Sequence, residues 1–297
     1  MEPLMKTIKE KANAKINLYL DVLSKREDGF HDIRTVMHSV TFGDVVTVTV
    51  APANETVVTM SVEGNRFLPT DGRNLAVRAA NLFLERAKIT ANVDITLVKR
   101  IPVAAGLAGG SSDAAAVLRA LNKLYGRIFA IPMLNEIAAE LGSDVVYCLY
   151  GRCALCEGRG EIMTRLNVDL PGYVVIAIGN EHMSTPTAYK SLDTLYSDFD
   201  GTSRTGGEES FARLMPALRE KNIDPEGLFN VFEAAVLPMC PTAANIRKRL
   251  VELGARCALM SGSGPSVFGI FDTLDDAVSA CMALRKEKYR AYHAKFV

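Results

Sequence analysis

The chain has 297 residues, 48% of them hydrophobic and 23% charged, a composition typical of a globular protein long enough for two domains and a sizeable core. Its 34 lysines and arginines balance 34 aspartates and glutamates, so no overall charge draws it to nucleic acid or to a membrane surface, and any affinity for a phosphorylated ligand has to be local. The N-terminal Met-Glu-Pro-Leu-Met-Lys lacks an apolar signal core and no stretch reaches the roughly 20 apolar residues of a bilayer span, so a cytoplasmic protein is expected.

Residues 14–23 alternate apolar and polar side chains, and 44–50 and 56–62 are rich in Val and Thr, so all three read as strands. An amphipathic helix is expected over 74–86 with Asn74 as its cap, then an alternating strand over 92–99. Residues 114–124 carry Ala and Leu at helical spacing, and another helix is expected over 133–141. Val146 reads as part of an extended segment, followed by strands at 152–156 and 162–166 around a Gly-rich turn.

Pro171-Gly172 marks a boundary, giving expected domains of 1–168 and 169–297. A buried strand at 173–178 precedes a polar, glycine-containing stretch at 197–210 that reads as a mobile loop. Helices at 211–221, 228–237 and 243–253, a hairpin over 258–271, a helix at 274–288 and a strand at 290–296 complete the chain. Strands and helices mixed without strict alternation argue for an α+β fold. Of the six cysteines, Cys153 and Cys156 form a Cys-x-x-Cys near Cys148, but without a second pair at metal-site spacing reduced core thiols are expected.

The segment Pro102-Val103-Ala104-Ala105-Gly106-Leu107-Ala108-Gly109-Gly110-Ser111-Ser112 joins the end of a strand to a helix. Gly106, Gly109 and Gly110 permit positive φ and close approach to a ligand, Ser111 and Ser112 offer N-cap oxygens, and a helix N-terminus offers unpaired N–H groups, so the loop reads as a phosphate cradle. A tight strand-to-helix turn is the other reading. Neither a Walker ending nor a Gly-x-Gly-x-x-Gly pattern is present, so phosphates would rest mainly on backbone N–H groups and the helix dipole.

Together with Lys11-Ala-Asn-Ala-Lys-Ile-Asn-Leu and Ser261-Gly-Ser-Gly-Pro-Ser, this loop resembles the three motifs of the GHMP kinase superfamily, which occur in this order over nearly the whole chain. Ala14-Lys15-Ile16-Asn17-Leu18, Arg26-Glu27-Asp28-Gly29-Phe30-His31 and Leu141-Gly142-Ser143-Asp144-Val145 are similar to the branch that phosphorylates a cytidine diphosphate derivative of methylerythritol on the non-mevalonate route to isoprenoids. The resemblance implies a ribosomal-protein-S5-like ATP-binding domain, a C-terminal ferredoxin-like domain, and an enzyme using ATP and Mg²⁺, monomeric or homodimeric, without nucleic-acid or membrane partners. It implies Lys15 and Asp144 as the catalytic pair, Asn17 as a substrate contact, and Phe30, His31 and Tyr189 around the cytosine. Asn74 and Lys99 would lie near the adenosine, and Gly262 and Gly264 close to the phosphates or the substrate diphosphate; the Mg²⁺ ligands are not marked.

Each residue also has an ordinary reading. On that reading Lys15 and Lys99 are solvated charges on strands, Asp144 and Asn74 helix caps, Asn17 a strand residue bonding neighbouring backbone, and Gly262 and Gly264 parts of a hairpin turn. The branch usually has proline where this chain has Val146. A GHMP kinase for another alcohol, a decarboxylase of the same superfamily and a catalytically silent nucleotide-binding protein are the alternatives.

Overall fold

A computed structural model describes residues 5–196 and 206–297. The chain falls into two compact units, one built from Met1–Ala14, Gly43–Val103 and Ala108–Tyr150, the other from Lys15–Phe42, Ala104–Leu107 and Gly151–Val297. Two long strands, β1 (Lys6–Lys25) and β2 (His31–Pro52), contribute one part to each unit. Residue 168, the end of the first expected domain, lies within the second unit, and the chain passes between the units inside β1 and β2.

In the first unit, β4 (Ala91–Val98) pairs antiparallel with residues 45–52 of β2 and parallel with β3 (Val57–Glu63). The helix between β3 and β4, α1 (Leu75–Ala87), makes the crossover that a parallel pair requires. Asn74 Oδ1 accepts from the Ala76 N–H at 3.0 Å, confirming the cap, and Ala76, Val77, Ala80, Phe83 and Leu84 form the buried stripe. Along β4, Ala91, Val93, Ile95 and Leu97 point inward, the period-2 signal read from the sequence. Two further helices, α2 (Gly109–Leu124) and α3 (Ile131–Leu141), follow, and then α4 (Ser143–Tyr150). The expected extended segment at Val146 is thus helical: Val145, Val146 and Leu149 are buried, and Arg119 of α2 donates to the Cys148 carbonyl at 2.6 Å.

The second unit holds β5 (Cys153–Glu157), β6 (Ile162–Leu166), β7 (Tyr173–Ile178), α5 (Thr185–Leu195), α6 (Gly207–Arg219), β8 (Phe229–Asn230) and α7 (Phe232–Val236). After them come α8 (Pro241–Glu252), β9 (Cys257–Met260), β10 (Val267–Phe271), α9 (Leu274–Lys286) and β11 (Arg290–Lys295). An antiparallel sheet in the order β11-β7-β10-β9, with α8 and α9 packed on it, has the ferredoxin-like arrangement. β5 pairs with β2 and β6, and β8 pairs parallel with β1.

The expected helix over 228–237 is instead the short β8 followed by α7. Helix α5 was not anticipated, although Ser184 caps it and Pro186 stands in its first turn. Residues 197–205 of the expected polar loop lie outside the described residues, and Gly207 already begins α6. None of the six cysteines is in a disulfide, and burial pushes the Cys153 thiol up to about 12. No helix among the described residues is long and apolar enough to cross a membrane.

Candidate active site

Lys15 sits in β1 with only 4% of its surface exposed, so it is not a solvated strand lysine. Its Nζ donates to Asn17 Oδ1 at 2.6 Å and to the Gly106 carbonyl at 2.8 Å. Residues two apart on a strand share a face, which puts the asparagine beside the ammonium. Asn17 Nδ2 in turn donates to Thr35 Oγ1 at 2.8 Å, and Thr35 donates to the Tyr19 carbonyl at 2.6 Å, so the amide orientation is set by a side chain and not by neighbouring backbone. A cation withdrawn from water is tolerated only with such partners.

The other two motifs meet Lys15 within the same unit. Its backbone N–H donates to the Leu107 carbonyl at 3.2 Å, Ser261 Oγ donates to the Gly106 carbonyl at 3.0 Å, and Ser266 Oγ donates to the Ala105 carbonyl. Gly106 has φ +74°, and a Cβ there would lie 2.0 Å from the Ser261 carbonyl oxygen. A Cβ on Gly262, at φ +57°, would lie 3.1 Å from Lys15 Nζ, whereas one on Gly264 would strike Met260 Sδ. Buried Asn230 fixes this last turn by donating to the Met260 and Gly262 carbonyls at 2.7 and 2.9 Å.

In the first unit, α2 starts at Gly109, so Gly109 and Gly110 belong to the helix and the expected serine caps are displaced into its first turn. Ala108 occupies the N-cap with φ +55° and supplies no side-chain cap; the first backbone bond runs from the Ser112 N–H to the Ala108 carbonyl. By their positions, the N–H groups of Gly109, Gly110 and Ser111 have no partner within the helix, an arrangement suited to an anion. Pro102 is buried, while Val103 and Ala104, the latter at φ +52°, are exposed. Ser112 Oγ is turned inward and donates to the Gly109 carbonyl at 3.0 Å.

Lys99 is buried too, against the reading of a solvated charge. Its Nζ lies 2.6 Å from Asp44 Oδ2 and 2.6 Å from Asp113 Oδ2, so its ammonium is occupied by carboxylates. Burial pushes the Asp113 carboxyl well above the usual range, Lys99 pulls it down, and the neighbouring Asp44 charge raises it again. Asp144 lies half-buried in the first turn of α4, where the helix dipole favours a carboxylate.

The Asp28-Gly29-Phe30-His31 segment is a turn in the second unit. Asp28 Oδ1 accepts from the Phe30 N–H at 3.1 Å, which holds its carboxyl below the usual range, and Gly29 takes φ +82°. Phe30 is 56% exposed, with the Arg159 guanidinium 5.0 Å from its ring centroid. His31 is buried, its Nε2 2.7 Å from Asp193 Oδ1, and Tyr189 stacks on its imidazole at 4.7 Å. Burial pushes Asp193 up, but bonds from Lys25 and His31 outweigh it and keep the carboxyl below the usual range. Asp193 was missed by the sequence reading, since a partner 162 residues from His31 leaves no local signal.

The model of the GHMP kinases N terminal domain matches residues 74–152, and that of the GHMP kinases C terminal matches residues 204–291. The chain belongs to the GHMP kinases, which are ATP-dependent enzymes. It is 40% identical to the 4-diphosphocytidyl-2-C-methyl-D-erythritol kinase of Geobacillus thermodenitrificans, over 88% of this chain and 87% of the relative. With the enzyme of the same description from Bacillus subtilis it shares 41% identity, over 89% of this chain and 88% of the relative. A crystal structure of 4-(cytidine 5'-diphospho)-2C-methyl-D-erythritol kinase matches it with a TM-score of 0.79 at 34% identity, covering 97% of this chain and 99% of the other. Homoserine kinase from Cytophaga hutchinsonii, at 21% identity and a TM-score of 0.77, shares the fold.

Proposed function

We propose that this protein transfers the γ-phosphoryl group of ATP to the 2-hydroxyl of 4-diphosphocytidyl-2-C-methyl-D-erythritol, a step of non-mevalonate isoprenoid synthesis. Similarity to kinases of that description over nearly nine-tenths of the chain supports the reaction. The observation that carries the residue assignment is the buried Lys15 ammonium, held by Asn17 and by the carbonyl of Gly106, with the third motif packed against the same carbonyl.

The acceptor is a tertiary alcohol and a poor nucleophile at neutral pH. Asp144 takes its proton as the oxygen bonds to phosphorus and ADP departs. Lys15 orients the reacting groups and offsets the charge that spreads over the transferring phosphoryl oxygens. Backbone N–H groups at the start of α2 bind the nucleotide phosphates, and Phe30 with His31 and Tyr189 receives the cytosine. Asn74 is committed to its cap and Lys99 to its ion pairs, so adenosine recognition falls to other groups near these positions. Mg²⁺ would be held chiefly by the phosphate oxygens of ATP, whose charge it would neutralise; among the described residues no three His, Cys, Asp or Glu side chains are grouped to hold a metal ion. The reading requires a small-molecule acceptor and a cytoplasmic setting, and no macromolecular partner.

The test is incubation with ATP, Mg²⁺ and 4-diphosphocytidyl-2-C-methyl-D-erythritol, followed by phosphorus NMR. A new phosphomonoester signal beside an intact diphosphate is the expected outcome. ATP binding without product would refute the acceptor and leave the family assignment standing.

A further inference from the structure

The entry and the exit of the strand-to-helix loop converge on one ammonium in the first unit. We propose that Asp44, Lys99 and Asp113 are positioning residues that set the geometry of the phosphate loop, a role that rests on the reading of that loop as the ATP cradle. At the entry, Asp44 of β2 accepts the successive N–H groups of Arg100 and Ile101 through Oδ1, at 2.5 and 2.7 Å. Its other oxygen takes Lys99 Nζ at 2.6 Å. At the exit, Asp113 reaches from the start of α2 to the same nitrogen, also at 2.6 Å. Between them, residues 102–108 run from one anchored point to the other.

Gly109 shows how closely the parts are fitted. A Cβ there would lie 3.1 Å from Lys99 Nζ and 3.0 Å from Ile101 Cγ2, so the first residue of α2 rests on the lysine and on the loop's own entry. All three charged groups are buried, and a buried ion pair adds little net stability because desolvation offsets its attraction. Positional specificity is what such a cluster can supply. The lysine also keeps two carboxylates beneath an anion site from repelling its ligand.

Two carboxylates facing one ammonium leave a charge over. Asp113 Oδ1 is buried without a hydrogen-bond partner among the described residues, and the charged groups facing Asp113 are Lys99 and Asp44. Burial together with the Asp44 charge favours the protonated form of Asp113, which makes the cluster neutral. Loss of that proton as pH rises puts a negative charge under the loop and weakens nucleotide binding.

The experiment compares the whole protein with Asp113→Ala, Lys99→Met and Asp113→Asn, reading KM for ATP, KM for the alcohol, and ADP affinity by calorimetry across pH. Asp113→Ala and Lys99→Met are expected to weaken ATP and ADP by roughly tenfold or more while KM for the alcohol moves by less than about threefold. Asp113→Asn, which keeps an acceptor for Lys99 and needs no proton, restores ADP affinity to within about threefold and abolishes its alkaline decline. A folded Asp113→Ala with wild-type ADP affinity overturns the proposal, as does an equal loss for both substrates. Should the first two variants fail to fold, an alkaline decline that persists in Asp113→Asn also overturns it. A wild-type protein that does not bind ADP removes the reading of the loop itself.

Discussion

Lys15 and Lys99 carry the same charge, and burial has made them different instruments. The Lys15 ammonium is turned toward an amide and a loop carbonyl, whereas Lys99 is taken up by two carboxylates. His38 gives the clearest pH signature. It is buried, with Nδ1 against the Ser39 carbonyl at 2.9 Å, and burial pushes its imidazole down to about 4. Its unfolded counterpart protonates near the ordinary value of 6.5, so the unfolded chain gains protons first as pH falls and stability declines from about pH 6.5 toward 4. Thermal or urea unfolding at pH 7 and pH 5 should differ by about 2 kcal/mol from this group, and His38→Asn should flatten that difference. At this level the sequence revealed residues whose roles are local: Asn74 as a cap and Phe30 exposed in an Asp-Gly turn. It named Lys99 but not its ion pairs, because partners 14 and 55 residues away decide whether a lysine is solvated.

The strand, loop and helix around residues 102–112 were readable from alternation on one side and Ala-Leu spacing on the other. Where α2 begins was not. Two serines after two glycines look like caps, yet the chain enters the helix through Ala108 in a left-handed conformation, which composition does not signal. For α4, Val145-Val146-Tyr147 carries strand-forming residues, and packing on α2 overrides that preference. Gly106 is the element-level position with least freedom, since it combines positive φ with contact against Ser261. Gly106→Ala should lower stability by about 2 kcal/mol or more and weaken turnover further, checked by melting temperature beside ADP release.

Across the whole chain, three motifs in the expected order were enough to indicate the α+β kinase fold, and the ferredoxin-like sheet agrees with it. The division into units was not legible, because β1 and β2 each serve both and no linker marks the exchange. His31, Asp193 and Tyr189 likewise come from distant segments, so the carboxylate beside the histidine left no signal in the sequence. The decisive measurement is steady-state ADP release with 4-diphosphocytidyl-2-C-methyl-D-erythritol and with uncytidylated methylerythritol phosphate, for the wild type and Asp144→Asn. Turnover restricted to the cytidylated alcohol, lowered about 100-fold or more by Asp144→Asn with ADP affinity unchanged, is the predicted result. Equal turnover of the bare alcohol, or near-normal turnover by Asp144→Asn, would contradict it.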